Sequence, residues 1–330
     1  RSQGIGPDVS SDEAEVGTQL QWIHRRNQTA DWYFVANRTL ESVDAVCRFR
    51  IADRQPQFWD PATGRSEAAL DYRAVAGGTD VRLQLPPGGS TFVVFAAAPQ
   101  FDPLQQLTFE PATDSLPAPR ALVDAEGQVH LLAWSDGNYA WQDAAGKTRH
   151  QRVAGIDPAR HLDGPWELAF DPAWGAPAQV EWPQLVSWTD SEVEGIRHYS
   201  GVGIYRKRFQ LDAVPTSPAQ AVWLALGDVR EVATLKVNGQ DVGILWKPPF
   251  RVDISEHLQA GENQLEIKVM NNWVNRLVLD ETLPAAERLT RTNVREGTRW
   301  MRNQGFELHP SGLFGPVRLL HSKTVSLPER

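Results

Sequence analysis

Cysteine is all but missing from this sequence of 330 residues: Cys47 stands alone, which excludes an internal disulfide and any cysteine-rich zinc site. It lies in the strand-like run "DAVCRFRI" and is expected to be a small core residue. No apolar run approaches the ~20 residues that a bilayer crossing needs, so no membrane partner is expected. Basic residues are outnumbered, 33 Lys and Arg against 41 Asp and Glu, and they are scattered rather than clustered. Nothing resembles a surface that tracks phosphates, and nucleic acid is not an expected partner. Long amphipathic helices are missing, as is any repeating β-helix-β pattern, so a complete (β/α)8 barrel has no room in this chain. The eight histidines show neither a metal-ligand spacing nor a serine motif of the G-x-S-x-G kind. "SGVG" and "PSGLFG" are rich in glycine but too short for a phosphate loop, and read as turns. Neither a methionine nor an apolar signal region stands at Arg1, so the expectation is that processing or excision has removed an upstream segment.

What the sequence does have is tryptophan, thirteen of them against five tyrosines. A broad flat face with one N–H donor suits both a β-sandwich core and the stacking of sugar rings. A hydrophobic share of 41% with 22% charged residues is that of a soluble globular protein, and the length calls for two or three packed units. Short β-branched or aromatic runs such as "DWYFVANR" and "STFVVFAA", cut by "PATG", "VAGG" and "PPGG", predict a small antiparallel sandwich over residues 1–98. Residues 99–157 read as a bridge in which "GQVHLLAW", "NYAWQD" and "TRHQRV" form a three-stranded meander. Residues 158–330 carry strands at jelly-roll spacing. In "TLKVNG" the side chains alternate, and Asn238-Gly239 supplies the positive-φ pair of a tight hairpin. One helical turn is expected at "SEHLQAG", with Ser255 as N-cap and Gly261 as stop. The predicted class is all-β, an antiparallel β-sandwich followed by a jelly roll.

Glycoside hydrolysis needs two carboxyl groups, about 5 to 5.5 Å apart for retention and about 6.5 to 9.5 Å for inversion. Asp280 and Glu281 are adjacent in "NRLVLDETLP", and on an extended segment they point to opposite faces. Glu192 and Glu194 are two apart in a loop-like stretch between strands. No catalytic pair is therefore assigned, the alternative being distant carboxylates such as Glu194 and Glu281. "MNNWVNR" offers amides that bond vicinal hydroxyls and an indole that stacks on a pyranose. The candidate carbohydrate-binding residues are Trp246, Arg251, Asn271, Asn272, Trp273, Asn275, Arg276 and Trp300, the tryptophans being equally suited to packing between strands or domains. Burying roughly 100 Å² of sugar C–H face is worth about 2.5 kcal/mol at about 25 cal/mol per Å². Millimolar affinity needs about 4.1 kcal/mol, so one tryptophan is not enough.

The order strand, "VNGQDVG", "PPFRVDISEHLQAGENQLEIKV" and "SGLFGPVRL" resembles the galactose-binding-like sugar-binding jelly roll of glycoside hydrolase family 2. More closely, "GPWELAF", "HYSGVGIYRKRF", "NNWVNRLVLDE" and "SGLFGPVRL" are similar to the carboxy-terminal region of glycoside hydrolase family 106, the α-L-rhamnosidases. "GIGPDV", "LQWIHRRNQTADWYFVANR" and "PQFWDPATG" look like the stretch that follows that family's catalytic barrel. The resemblance implies catalytic glutamates and a calcium-assisted sugar site in a barrel upstream of Arg1. No position here matches them, so no catalytic residue is carried over. It further implies a rhamnose-containing glycan and that barrel as partners, and location in a periplasm or outside the cell. No cofactor is required by these motifs; a structural calcium ion in a loop is left open.

Overall fold

The computed structural model describes residues 6–11, 16–98, 104–110, 116–124, 127–143, 145–291 and 307–327. The chain divides into two compact units, one of residues 1–158 with 321–330, the other of residues 159–320. Both are built from antiparallel sheets, as the alternating runs predict.

The first unit opens with β1 (Val9–Ser10), a single helical turn α1 (Val16–Gln19), β2 (Leu20–Arg26), β3 (Asp31–Asn37), β4 (Val43–Phe49), β5 (Pro56–Trp59), β6 (Ser66–Ala68), β7 (Tyr72–Val75), β8 (Gly78–Leu85) and β9 (Ser90–Phe95). One sheet runs β2-β3-β9-β5-β6 and its partner β1-β4-β8-β7. In β4 every second residue is buried: Val43, Ala45, Cys47 and Phe49 join Tyr33, Val81 and Phe95 in the core. Cys47 is the core residue the sequence predicts. Buried Asp31 is paired by His24 Nε2 at 2.9 Å and Arg54 Nη1 at 3.2 Å, so its charge is not left unpartnered.

Register decides what the first sheet turns outward. Ile23 lies opposite Phe34, Phe34 opposite Phe92 and Phe92 opposite Trp59, forming one continuous row across four strands. Arg25 and Trp32 form part of the next row. The partner sheet turns out charge instead: Arg48 and Arg73 both bond Asp80, and Arg82 forks onto Asp44.

The remainder of this unit comprises β10 (Gln105–Glu110), β11 (Arg120–Val123), β12 (Val129–Ala133), β13 (Gly137–Gln142) and β14 (Thr148–Val153). The expected three-stranded meander breaks at "SDG". β13 pairs with β10 and β14, whereas β12 pairs with β11 and with residues 323–326 near the end of the chain. A partner from almost two hundred residues downstream wins over the adjacent strand. Leu131, Ala133, Tyr139, Trp141, Val153 and Leu327 close the core beneath them.

The second unit holds β15 (Arg160–His161), β16 (Trp166–Ala169), β17 (Gln179–Trp182), α2 (Glu194–Arg197), β18 (Val202–Leu211), β19 (Gln220–Ala225), β20 (Asp228–Arg230), β21 (Val232–Val237), β22 (Gln240–Leu245), β23 (Arg251–Asp253), β24 (Gly261–Met270), α3 (Val274–Thr282), β25 (Gly312–Gly315) and the start of β26 (Arg318–Ser326). Its large sheet runs β17-β16-β18-β24-β21-β22, centred on the ten-residue strands β18 and β24. Asn238 and Gly239 take φ of 51° and 79° and close the β21–β22 hairpin in two residues, as expected.

Two glycines make the core possible. A methyl group on Gly203 would sit 2.4 Å from the Trp188 ring, and one on Gly312, at φ 106°, would sit 2.6 Å from its Nε1. Trp188 is fully buried and donates from Nε1 to the Tyr205 hydroxyl at 2.6 Å; that oxygen also accepts from Leu313 N at 3.0 Å. Burial pushes the Tyr205 phenol up, so it stays a neutral hub for both donors.

Helix placement corrects two expectations. "NRLVLDETLP" is not extended but forms α3, held where Arg276 and Asp280 meet one turn apart. Ser255 is not a cap but the first residue of the short 3-10 turn Ser255–His257; Asp253 accepts its N–H at 2.9 Å. Among the described residues, no helix is long and apolar enough to cross a membrane.

Candidate carbohydrate-binding surface

The hairpin register brings several of the predicted residues to one end of the large sheet. β22 ends at Leu245, opposite Ala233; β24 ends at Met270, opposite Val232. Trp246 therefore leaves β22, Glu231 enters β21, and Asn271, Asn272 and Trp273 leave β24 along the same edge. Neighbouring strands are about 4.8 Å apart, so β22 and β24 lie roughly 10 Å apart across β21. Trp246 is 57% exposed and Trp273 55%. Trp273 also meets Trp174 edge to face, with ring centroids 5.1 Å apart. At the same end of the sheet, Asn272 Nδ2 donates to exposed Glu231 Oε1 at 3.0 Å. Two indoles, an amide and a carboxylate thus line one rim, a combination able to stack C–H faces and bond hydroxyls.

Asn272 Oδ1 also accepts from Val274 N at 3.0 Å, which leaves one of its N–H groups for a ligand; the other amides of "NNWVNR" are taken up more fully by the protein itself. Asn271 accepts from Gly201 N at 2.9 Å and donates to Tyr199 O at 2.8 Å and Ser311 Oγ at 3.0 Å. Asn275 is fully buried; it donates to His309 O at 2.8 Å and Ser311 Oγ at 3.0 Å, and accepts from His309 N at 2.8 Å. Both N–H groups of each amide are given away and each oxygen already accepts one bond, so these residues knit three loops together.

Arg276 is buried against Asp280, Nη2 to Oδ1 at 2.6 Å. Asp280 Oδ2 accepts from Thr290 N at 2.7 Å and its hydroxyl at 2.5 Å. Burial pushes the Asp280 carboxyl up, but Thr290 and Arg276 outweigh it and hold the group below the usual carboxylate range. That is opposite to the raised value a general acid needs. Arg251 opens β23 and packs its guanidinium over Trp223, 5.7 Å from the ring centroid. Trp300 lies outside the described residues. Glu194 is exposed on the single turn α2, and half-buried Glu281 sits near the end of α3. Among the described residues, no group of three or more His, Cys, Asp or Glu side chains is placed to hold a metal ion.

Sequence reasoning missed Glu231 and Trp174. Neither lies in the "NNWVNR" segment; Glu231 follows from pairing the β21 start with the β24 end, a register that the Asn238-Gly239 turn, which joins β21 to β22, does not fix. Trp174 sits in "PAWG", a 3-10 turn capped by Asp171, whose Oδ1 accepts Ala173 N at 2.9 Å.

Against known proteins, residues 1–74 match the family described as alpha-L-rhamnosidase, and residues 198–312 match the glycosyl hydrolase 2 galactose-binding domain-like family. A rhamnosidase of Novosphingobium sp. PP1Y superposes on 97% of this chain with 31% identity and a TM-score of 0.69. A Formosa agariphila protein with the provisional name beta-glucuronidase is 31% identical over 212 residues, 59% of this chain. The chain spans only 25% of that rhamnosidase and 18% of the Formosa protein. Both resemblances read from the sequence motifs are thus matched: the relatives carry the names of glycoside hydrolases, and residues 198–312 of this chain match a galactose-binding-like domain.

Proposed function

We propose that this chain is the accessory β-region of a larger α-L-rhamnosidase-like glycoside hydrolase. It supports the catalytic portion and offers the rim of Trp246, Glu231, Asn272 and Trp273 to a rhamnose-containing glycan. The observation that carries the first part is the fit of 97% of the chain onto a quarter of a rhamnosidase. The second part draws support from the two half-exposed indoles on one sheet edge. Two faces of roughly 100 Å² at about 25 cal/mol per Å² contribute about 5 kcal/mol before ordering costs. Before those costs this exceeds the about 4.1 kcal/mol of millimolar affinity, which one indole does not, and hydrogen bonds to the hydroxyls must offset the costs.

A fluorescence titration of the chain with rhamnose-containing oligosaccharides tests this rim. Saturable quenching is expected, weakened at least tenfold by Trp273→Ala, a loss of about 1.4 kcal/mol. No response to any such glycan would remove the sugar-contacting role and leave the supporting one.

A further inference from the structure

The outward row of the first sheet is not explained by sugar binding at the other unit. Ile23, Arg25, Trp32, Phe34, Trp59 and Phe92 line one open depression on it. Ile23 is 55% exposed and Trp59 39%, and the Phe34 and Phe92 rings touch at 5.1 Å between centroids. Contiguous exposed apolar surface of this kind marks an interaction site rather than a solvent face. On the opposite sheet of the same sandwich, Asp44, Arg48, Arg73, Asp80 and Arg82 form ion pairs at the surface. The apolar character is therefore a property of one face, not of the unit.

The lining chemistry selects the occupant. A pyranose is ringed by hydroxyls, each of which needs a donor or acceptor once water is removed. Of the six lining residues only Arg25 is charged, with Nη1 given to His24 O at 3.2 Å, and the Trp59 N–H is given to Gln57 Oε1 at 3.1 Å, so the donors facing a ligand are the rest of that guanidinium and the Trp32 indole, and no lining side chain is an acceptor. A sugar would be dehydrated here with little to replace water. A protein surface of aliphatic and aromatic side chains, with a carboxylate opposite Arg25, suits it. Four of the sheet's five strands, β2, β3, β5 and β6, fall within residues 1–74, the part matching the alpha-L-rhamnosidase family, and three quarters of the matched rhamnosidase is polypeptide that this chain does not span.

We propose that this aromatic face is the seat of the catalytic portion of the longer glycoside hydrolase, an inference that rests on the accessory role proposed above. The occupant is that portion's own apolar surface, not a second copy of this chain and not a glycan.

Hydroxyl-radical footprinting of the chain alone and of the longer polypeptide that contains it is the test. In the chain alone Trp59 and Ile23 are oxidised; in the longer protein their oxidation is lost while Trp246 still reacts. The double variant Ile23→Asp, Trp59→Ser keeps the unfolding midpoint of the isolated chain and makes the longer protein release this region under limited proteolysis. Full oxidation of Trp59 in a longer protein that hydrolyses rhamnosides would overturn the docking proposal and leave the accessory role standing. Concentration-dependent protection in the chain alone would assign the face to a dimer instead, and sugar quenching abolished by Trp59→Ser would assign it to a glycan. A gene that encodes no longer polypeptide would defeat the accessory role itself.

Discussion

The outward faces of the two large sheets use the same backbone geometry for opposite ends. In the first unit one row reads Ile23, Phe34, Phe92, Trp59 across four strands. In the second, one row reads Glu181, Glu167, Arg206, Glu266, Lys236, Asp241 across six. Signs alternate over most of that ladder, with Arg206 to Glu266 at 3.0 Å and Lys236 to Asp241 at 3.2 Å. Such a row stays hydrated and deters a foreign strand or surface from settling on it. The aromatic row does neither. Strand pairing is thus indifferent to what points outward, and the outward residues carry the information about partners.

If the difference is confined to the outer faces, the interiors must be equally intolerant of loss. Truncating a buried aromatic, Trp188→Ala in the second unit or Phe95→Ala in the first, is expected to cost about 3–5 kcal/mol in denaturant unfolding. A much smaller loss at either site would mean that one core is loosely packed and the comparison of faces is unsafe. Arg276→Ala is expected to cost a similar ~3–5 kcal/mol, because it strands the buried Asp280 carboxylate.

The same pair sets an acid limit on the second unit. The folded value of Asp280 lies below its unfolded one, so its stabilisation is fully present above the unfolded carboxylate range near ~4. It is lost as pH falls through the lower folded value. Unfolding midpoints measured at successive acid pH values should therefore fall, and fall less steeply in Asp280→Asn. Equal slopes would show that Asp280 does not titrate with folding.

The two outer rows should give the smallest effects of all. Arg206→Ala is expected to change stability by about 0.2–1 kcal/mol, and by less in high salt, because the pair is exposed. Trp59→Ser is expected to stay within about 0.5 kcal/mol in the isolated chain, where its face is wet, while binding of a hydrophobic dye declines. A large loss from Trp59→Ser would place that indole in the core and erase the contrast.

Much of this was legible in the sequence. Period-two alternation around Cys47 gave away its burial, and Asn238-Gly239 fixed a hairpin without any tertiary information. α3 was hidden because Val274, Leu277, Val278 and Leu279 read equally as a strand, and its strongest mark, Arg276 four residues before Asp280, appears only once helical spacing is assumed. Asn271 and Asn275 looked like free amides because their partners, Tyr199, Gly201, His309 and Ser311, lie 34 to 72 residues away. The aromatic row was invisible for a related reason: its members sit on four strands, and only register makes them neighbours.

The most direct test of the central claim is hydrolysis of an aryl α-L-rhamnoside by the isolated 330-residue chain beside the longer polypeptide proposed to contain it. The account predicts turnover by the longer protein and none by the chain alone. Turnover by the chain alone, abolished by Glu194→Gln or Glu281→Gln, would contradict it.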